Sequence, residues 1–389
     1  MKWLPRILVA AVVAAVCVLG WMAFERSRGD SSGVELVDVR QDVERLIEER
    51  GPVERGPGLT RVPLDEERAQ SFFPSLKHDR DVYDPQTYFR NRPNFVAPRQ
   101  FKEHPRGEWT IRFNAAGFKS DRELLEVAPD LRVLVAGDSH SEGVVPTEEN
   151  YCSLLETLAL EAHSERSVEV LNASRGGYML YNYLGVLEKY AELEPQVFVM
   201  AVFGGNDFTE TVPLYGYFEG ESLEDGREGW GMKVALSRRA GPGSGQALAQ
   251  GMHQEALFHY SPRWRELALA ASLAVTREAA RQCAERGIAF VLLYIPPATD
   301  AQPEFCAEGI AQVLEVFGMT AADRGATERM ADEYLATMAA EGVKVVDLRP
   351  AFRAAQEPLY WRADLHINTA GHRAVARELH RAVEEVVGG

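Results

Sequence analysis

The sequence predicts a three-layer α/β/α domain built on a five-stranded parallel sheet, with a small β-containing extension and an N-terminal membrane helix ahead of it. Three observations carry this expectation. Five short segments, "LRVLVAG", "VEVLNA", "VFVMAVFG", "IAFVLLYIP" and "VKVVDL", begin near residues 131, 168, 197, 288 and 343 and are apolar almost throughout. Strands that are apolar on both sides belong in a parallel sheet covered on both faces, because a sheet with one wet face alternates instead. Helical stretches at roughly 149–163, 180–192, 263–287, 326–341 and 370–386 separate and follow them, and strand–helix alternation is the pattern of a doubly wound domain. Polar residues, finally, collect where the strands end, which is where such sheets bind ligands.

Bulk numbers agree with a globular chain carrying additions. The 389 residues are 46% hydrophobic and 26% charged, with a net charge of −16. That charge excludes nucleic acid as the natural partner, since phosphates would be repelled.

Residues 1–29 form the first segment. Lys2 and Arg6 precede an apolar run from Ile7 to Phe24, and Glu25, Arg26 and Arg28 follow it. Eighteen apolar residues are near the lower limit for a helix that spans a bilayer. A cleaved signal peptide is the rival, but small residues normally precede the cut, and here Trp21, Met22 and Phe24 stand there. An uncleaved anchor is therefore favoured. Either reading places the remainder outside the cytoplasm, anchored at the periplasmic or cell surface, or secreted if the segment is removed.

Residues 30–60 read as a charged stalk ending in a Gly/Pro linker. Residues 61–130 are rich in Pro, Arg and aromatics. Within them Trp109 to Phe113 reads as a strand, followed by the turn formers Asn114 and Gly117, which predicts one β-hairpin beside the main domain. The domain itself occupies 131–389. Residues 209–262 interrupt its rhythm with "GESLEDGREGWG" and "RRAGPGSGQ" and read as a long irregular insertion, either a binding loop or a disordered excursion. Lys233, Arg238 and Arg239 in it are solvated charges or a grip for an anionic group. Outside the apolar run, Cys152, Cys283 and Cys306 allow one disulfide or three free thiols.

Four blocks of polar residues sit at strand ends: Asp138 and Ser139; Asn172, Gly176 and Gly177; Gly204, Gly205, Asn206 and Asp207; and Asp364, His366 and His372. Singly, each is a common turn or helix cap. Together, and in this order, "GDSH" at 137–140, "NASRGG" at 172–177, "GGND" at 204–207 and "DLH" at 364–366 resemble the SGNH hydrolases, also called the GDSL family of esterases and lipases. The resemblance covers about residues 130–389, and "RFNAAGFKSD" upstream is similar to the lead-in of secreted bacterial members. Two departures stand out. His140 replaces the family's frequent Leu, and only Leu365 separates Asp364 from His366 where two residues are usual.

The resemblance implies a flavodoxin-like fold and a Ser139–His366–Asp364 triad. A serine hydroxyl is a poor nucleophile without a base in hydrogen-bond reach, and the base needs an orienting partner. The implied oxyanion donors are the backbone N–H of Ser139, that of Gly177 (favoured over Gly176 by its spacing from Asn172) and the side-chain amide of Asn206. Asp138 and Asp207 are expected to shape turns by accepting backbone N–H groups. His140 either touches substrate or packs, and His372 packs. The histidines lack the helical spacing that brings two imidazoles onto one face, so no metal and no cofactor are expected. The implied activity is hydrolysis of a small-molecule, lipid or glycan ester. Two alternatives are acyl transfer to a polysaccharide hydroxyl by the same triad, and a non-catalytic binding role on the same fold.

Overall fold

In the computed structural model, which describes residues 58–388 except 74, 75, 77 and 221–241, the extension makes two antiparallel pairs rather than one. Asp81–Asp84 (β1) pairs with Tyr88–Asn91 (β2), and Val96–Gln100 (β3) pairs with Glu108–Arg112 (β4). The expected strand is β4, but its partner lies upstream. The Asn114–Gly117 turn does form, with Asn114 Oδ1 accepting the N–H groups of Ala116 and Phe118, yet it closes only a single bridge between Phe113 and Lys119. The sequence hides β3 because it carries Pro98 and no residue in it is fully buried. Such a strand shows no apolar alternation, and its proline fits only an edge position.

The five apolar runs become Leu131–Gly137 (β5), Val168–Asn172 (β6), Val197–Phe203 (β7), Ala289–Ile295 (β8) and Lys344–Asp347 (β9). They form one parallel sheet in the order β6-β5-β7-β8-β9. Every residue of β5 and β7 is buried, which is why neither alternates. Alternate side chains feed two cores. Leu134, Ala136, Met200 and Leu292 pack under the helices Leu180–Tyr190, Pro262–Arg286 and Ala326–Ala340. Val133, Val135, Val199 and Leu293 pack under Tyr151–Ala162, Ala307–Phe317 and Thr369–Gly388. Strand order reverses between β5 and β7, the point where doubly wound sheets open a crevice.

The stretch 209–262 is not an irregular insertion where it is described. Asp207–Glu219, Pro242–Ala247 and His253–Tyr260 are helices, and Val212, Leu214, Phe218, Leu248, Met252 and Leu257 are buried. Pro213 lies inside the first of them. A proline removes one helical hydrogen bond and reads as a breaker, but the apolar face around it holds the helix on the sheet. Lys233, Arg238 and Arg239 lie outside the described residues. So do the apolar run Ile7–Phe24 and the stalk as far as residue 57. Among the described residues, no helix is long and apolar enough to cross a membrane. Cys152, Cys283 and Cys306 are buried free thiols.

The extension is bolted to the helix Leu180–Tyr190. Asn182 Nδ2 donates to Thr87 O at 2.7 Å, and Tyr178 OH donates to Phe89 O at 2.7 Å. At Gly185 the two segments touch so closely that a Cβ would lie 2.1 Å from Gln86 O. Gly185→Ala must push two backbones apart and should lower stability by about 1–3 kcal/mol. A shifted midpoint in urea denaturation checks this, and an unchanged midpoint would show that the contact gives way freely.

Candidate active site

β5 delivers the first block. At Gly137 a Cβ would meet Ser141 Oγ at 2.2 Å, so the turn requires glycine. Asp138 caps the one-turn helix Ser139–Glu142, its Oδ1 accepting the His140 N–H at 2.8 Å. The far end of that turn is held by a wholly buried ammonium. Lys119 Nζ donates to the carbonyls of Glu142, Gly143 and Val145 at 2.8, 3.0 and 2.9 Å. Burial pushes it down to about 8.

Glu142, the acid just past the first block, lies inside the protein. Its carboxylate meets Arg80 at 2.5 Å and Arg175 at 3.4 Å and accepts the Gly176 N–H at 2.8 Å. Burial alone would raise its pKa, but the two guanidinium groups and that N–H hold it well below the usual range. Arg175 also grips both oxygens of Asp81, at 2.6 and 2.7 Å. Strand β1 and the turn before it thus reach directly behind Ser139.

The fourth block meets the first. His366 Nε2 is 2.8 Å from Ser139 Oγ, and His366 Nδ1 is 2.5 Å from Asp364 Oδ1. The one-residue gap between Asp364 and His366 is bridged by Leu365 in the left-handed conformation, at φ 63°. A β-carbon there costs roughly 1–2 kcal/mol. The surroundings hold it. Leu365 N–H donates to Trp361 O at 3.0 Å, Trp361 N–H donates to His366 O at 2.8 Å, and the Leu365 side chain is buried. Burial lowers the pKa of His366, but the Asp364 carboxylate more than reverses this and leaves it raised. Burial raises Asp364, and the imidazole opposite brings it down to about 2.

His140 packs. Its ring stacks on Phe203 with centroids 3.6 Å apart, Nε2 meets Gln250 Oε1 at 3.0 Å, and Nδ1 accepts the Ile367 N–H at 3.4 Å. Burial keeps its pKa well below the usual value, so it is a neutral buttress against the His366 ring, 4.6 Å away. His372 packs as well, stacked on Tyr151 and accepting that residue's N–H.

The middle blocks supply donors. Gly176 sits 3.4 Å, by its would-be Cβ, from Ser139 Cβ, but its N–H is taken by Glu142. Gly177 is exposed, at φ 80°. Asn206 is half-buried at the start of Asp207–Glu219, where Nδ2 donates one proton to Glu210 Oε1 at 3.2 Å and carries a second. Asp207 accepts the Phe203 N–H and the Tyr183 hydroxyl, both at 2.8 Å. Burial pushes both Asp138 and Asp207 upward.

Sequence reasoning missed several supports. Gln254 accepts the Thr209 N–H at 3.0 Å and donates to Gly204 O at 2.7 Å, which pins the third block. Gln250, Lys119, Arg80, Asp81, Arg175 and Glu103 also lay outside the expected set. Only the block that contains Arg175 and the lead-in that contains Lys119 gave any signal.

The model of the GDSL-like Lipase/Acylhydrolase family matches residues 135–374. No curated protein is similar to the chain at a significant level. Solved structures that align with it include TesA (17% identity, 66% of this chain and 99% of that one, TM-score 0.34) and the acetyl xylan esterase AlAXEase (18%, 65% and 100%, 0.34). A lipase from a goat rumen metagenome, Lip_vut3, aligns at 13% identity over 65% of this chain and 97% of its own, with a TM-score of 0.41. The family match takes in more than half of the chain, from within β5 to the first turns of the last helix, and all four strand-end blocks fall inside it; the chain belongs to the GDSL-like lipase/acylhydrolase family and is an ester-hydrolysing enzyme.

Proposed function

We propose that the enzyme is a serine esterase in which Ser139 is the nucleophile, His366 the base and Asp364 the orienting acid. One observation carries this reading: an unbroken relay from Ser139 Oγ through both ring nitrogens of His366 to Asp364. With the Nδ1 proton held by Asp364, the Nε2 lone pair faces the hydroxyl. Ser139 Oγ attacks the ester carbonyl and its proton passes to Nε2. The imidazolium then protonates the leaving alcohol. Water, deprotonated by the same nitrogen, cleaves the acyl-enzyme and restores Ser139. The oxyanion is met by the Ser139 N–H, the exposed Gly177 N–H and the free proton of the Asn206 amide.

The substrate in this reading is a small O-acyl or lipid ester. The chain is anchored outside the cytoplasm by Ile7–Phe24, a reading supported by the length of that run and its basic flanks. Membrane fractionation of cells making the full chain tests the anchor. The protein should stay with the membrane after a carbonate wash, and recovery of the intact chain in the soluble fraction would refute it.

Hydrolysis of p-nitrophenyl acetate tests the chemistry. Ser139→Ala and His366→Ala should each lose at least roughly a thousandfold in kcat with the fold retained. Asp364→Asn should lose less than either, and Asn206→Ala about a hundredfold to a thousandfold. A fluorophosphonate should label Ser139, read by mass mapping of the modified peptide. Full turnover by Ser139→Ala would end the proposal. Acetate release that requires an added sugar acceptor would redirect it from hydrolysis to transfer.

The pH profile follows from the raised His366. A base works only when neutral, so kcat/KM should fall as pH drops through the raised pKa, with an acidic midpoint above the ordinary value of about 6.5. Asp364→Asn, which removes the raising charge, should move that midpoint down. A wild-type midpoint below 6 would contradict the assignment.

A further inference from the structure

We propose that Glu103, at the tip of the β3–β4 hairpin, is a positioning residue that holds the Asp364–His366 turn in its working shape. The role rests on the triad reading above. The two carboxylate oxygens of Glu103 accept two consecutive backbone N–H groups, Ala363 at 2.9 Å and Asp364 at 3.0 Å. The next residue is Leu365, the left-handed one. The turn therefore has its strained residue on one side and a two-pronged clamp on the other. Fixing the peptides at 363 and 364 sets where the Asp364 side chain starts. With a single intervening residue, that start decides whether Oδ1 curls back to His366 Nδ1.

The clamp is itself rigid. Phe101 and His104 pack their rings on Trp361, with centroids 5.3 and 5.7 Å apart. His104 Nε2 meets Glu149 Oε2 at 3.1 Å, and the same oxygen accepts the Thr369 hydroxyl at 2.8 Å, at the start of the last helix. Phe101 and Gly107 close the hairpin tip through a 2.8 Å backbone hydrogen bond. Glu103 is thus carried on a loop fastened to both sides of the segment it clamps. Its hydrogen bonds go to the backbone of residues 363 and 364, and it acts through Asp364. The charged and titratable groups around His366 include Asp364, Asp138 and Arg99, the neutral His140 ring alongside, the buried His372 and Glu103 itself on the Asp364 backbone.

The test compares Glu103→Ala and Glu103→Gln in the full chain with p-nitrophenyl acetate as the probe. Glu103→Ala should lower kcat by roughly tenfold to a hundredfold, the scale of a small misplacement of a catalytic group, with KM changed less than about twofold. Its acidic midpoint in kcat/KM should move down toward that of Asp364→Asn, because His366 loses its partner. Glu103→Gln keeps one acceptor oxygen and should fall between Ala and wild type. Loss of the Glu103 charge alone would shift the midpoint equally in Glu103→Ala and Glu103→Gln, so positioning is read from kcat and from the further shift of Ala beyond Gln. The far-downfield proton resonance of the Nδ1–H hydrogen bond gives a second reading and should weaken or vanish in Glu103→Ala. An unaltered kcat and midpoint in Glu103→Ala, beside an inactive Ser139→Ala, would overturn the positioning role alone. Turnover by Ser139→Ala would overturn the triad and the role together. If Glu103→Ala does not fold, Glu103→Gln decides: a wild-type kcat and resonance refute the role, and a lowered kcat with a weakened resonance supports it.

Discussion

A carboxylate buried directly behind Ser139 constrains everything around it. Glu142 shares a four-residue helix with Ser139, is buried, and keeps its charge because Arg80, Arg175 and the Gly176 N–H face it. Taking one partner from such a group leaves a buried charge uncompensated, at a cost of about 3–5 kcal/mol. The arrangement therefore dictates more than local geometry. Arg80 and Asp81 belong to the extension, Arg175 to the loop after β6, and Glu142 to the turn after β5. The same carboxylate takes the Gly176 N–H. One ionic cluster thus ties the Ser139 turn to the glycine loop and both to residues upstream of the sheet.

The sheet itself was legible from the sequence because of that burial. β5, β7 and β8 are continuous apolar runs with no competing signal, and the helices between them begin and end within a few residues of where periodicity places them. Elements whose stability comes from tertiary contact were not legible. β3 is half-exposed and interrupted by a proline, so nothing local distinguishes it from a loop. The helix Asp207–Glu219 carries an internal proline and reads as broken, although the buried faces of Val212, Leu214 and Phe218 keep it whole.

The same division runs through the site. Ser139, Asp364 and His366 could be singled out because the four ordered blocks resemble a family motif, and they lie within hydrogen-bond reach of one another. The spacing of Asp364 and His366 required an irregular loop, and the left-handed Leu365 is its physical form. Glu103, Gln250 and Gln254 left no such trace. Each is an ordinary polar residue whose importance lies in which backbone or ring it meets across more than a hundred residues or across a chain reversal.

Why a doubly wound sheet should need those outside supports follows from what a sheet does and does not determine. Parallel strands place the ends of β5, β6 and β7 side by side, so the Cα positions of the first three blocks are settled by the ladder. Catalysis asks for side-chain placement to about half an ångström, which loops alone do not supply. The fourth block is the least constrained, since it follows β9 by a short helix and a long turn rather than leaving the strand directly. It is also the most heavily braced. His140, itself held by Gln250, backs the His366 ring from inside, and the β3–β4 hairpin packs on Trp361 from outside. The third block gets its brace from Gln254, on a helix beyond residues 221–241. Bracing from outside the strand–helix rhythm thus falls where the strands exert least control.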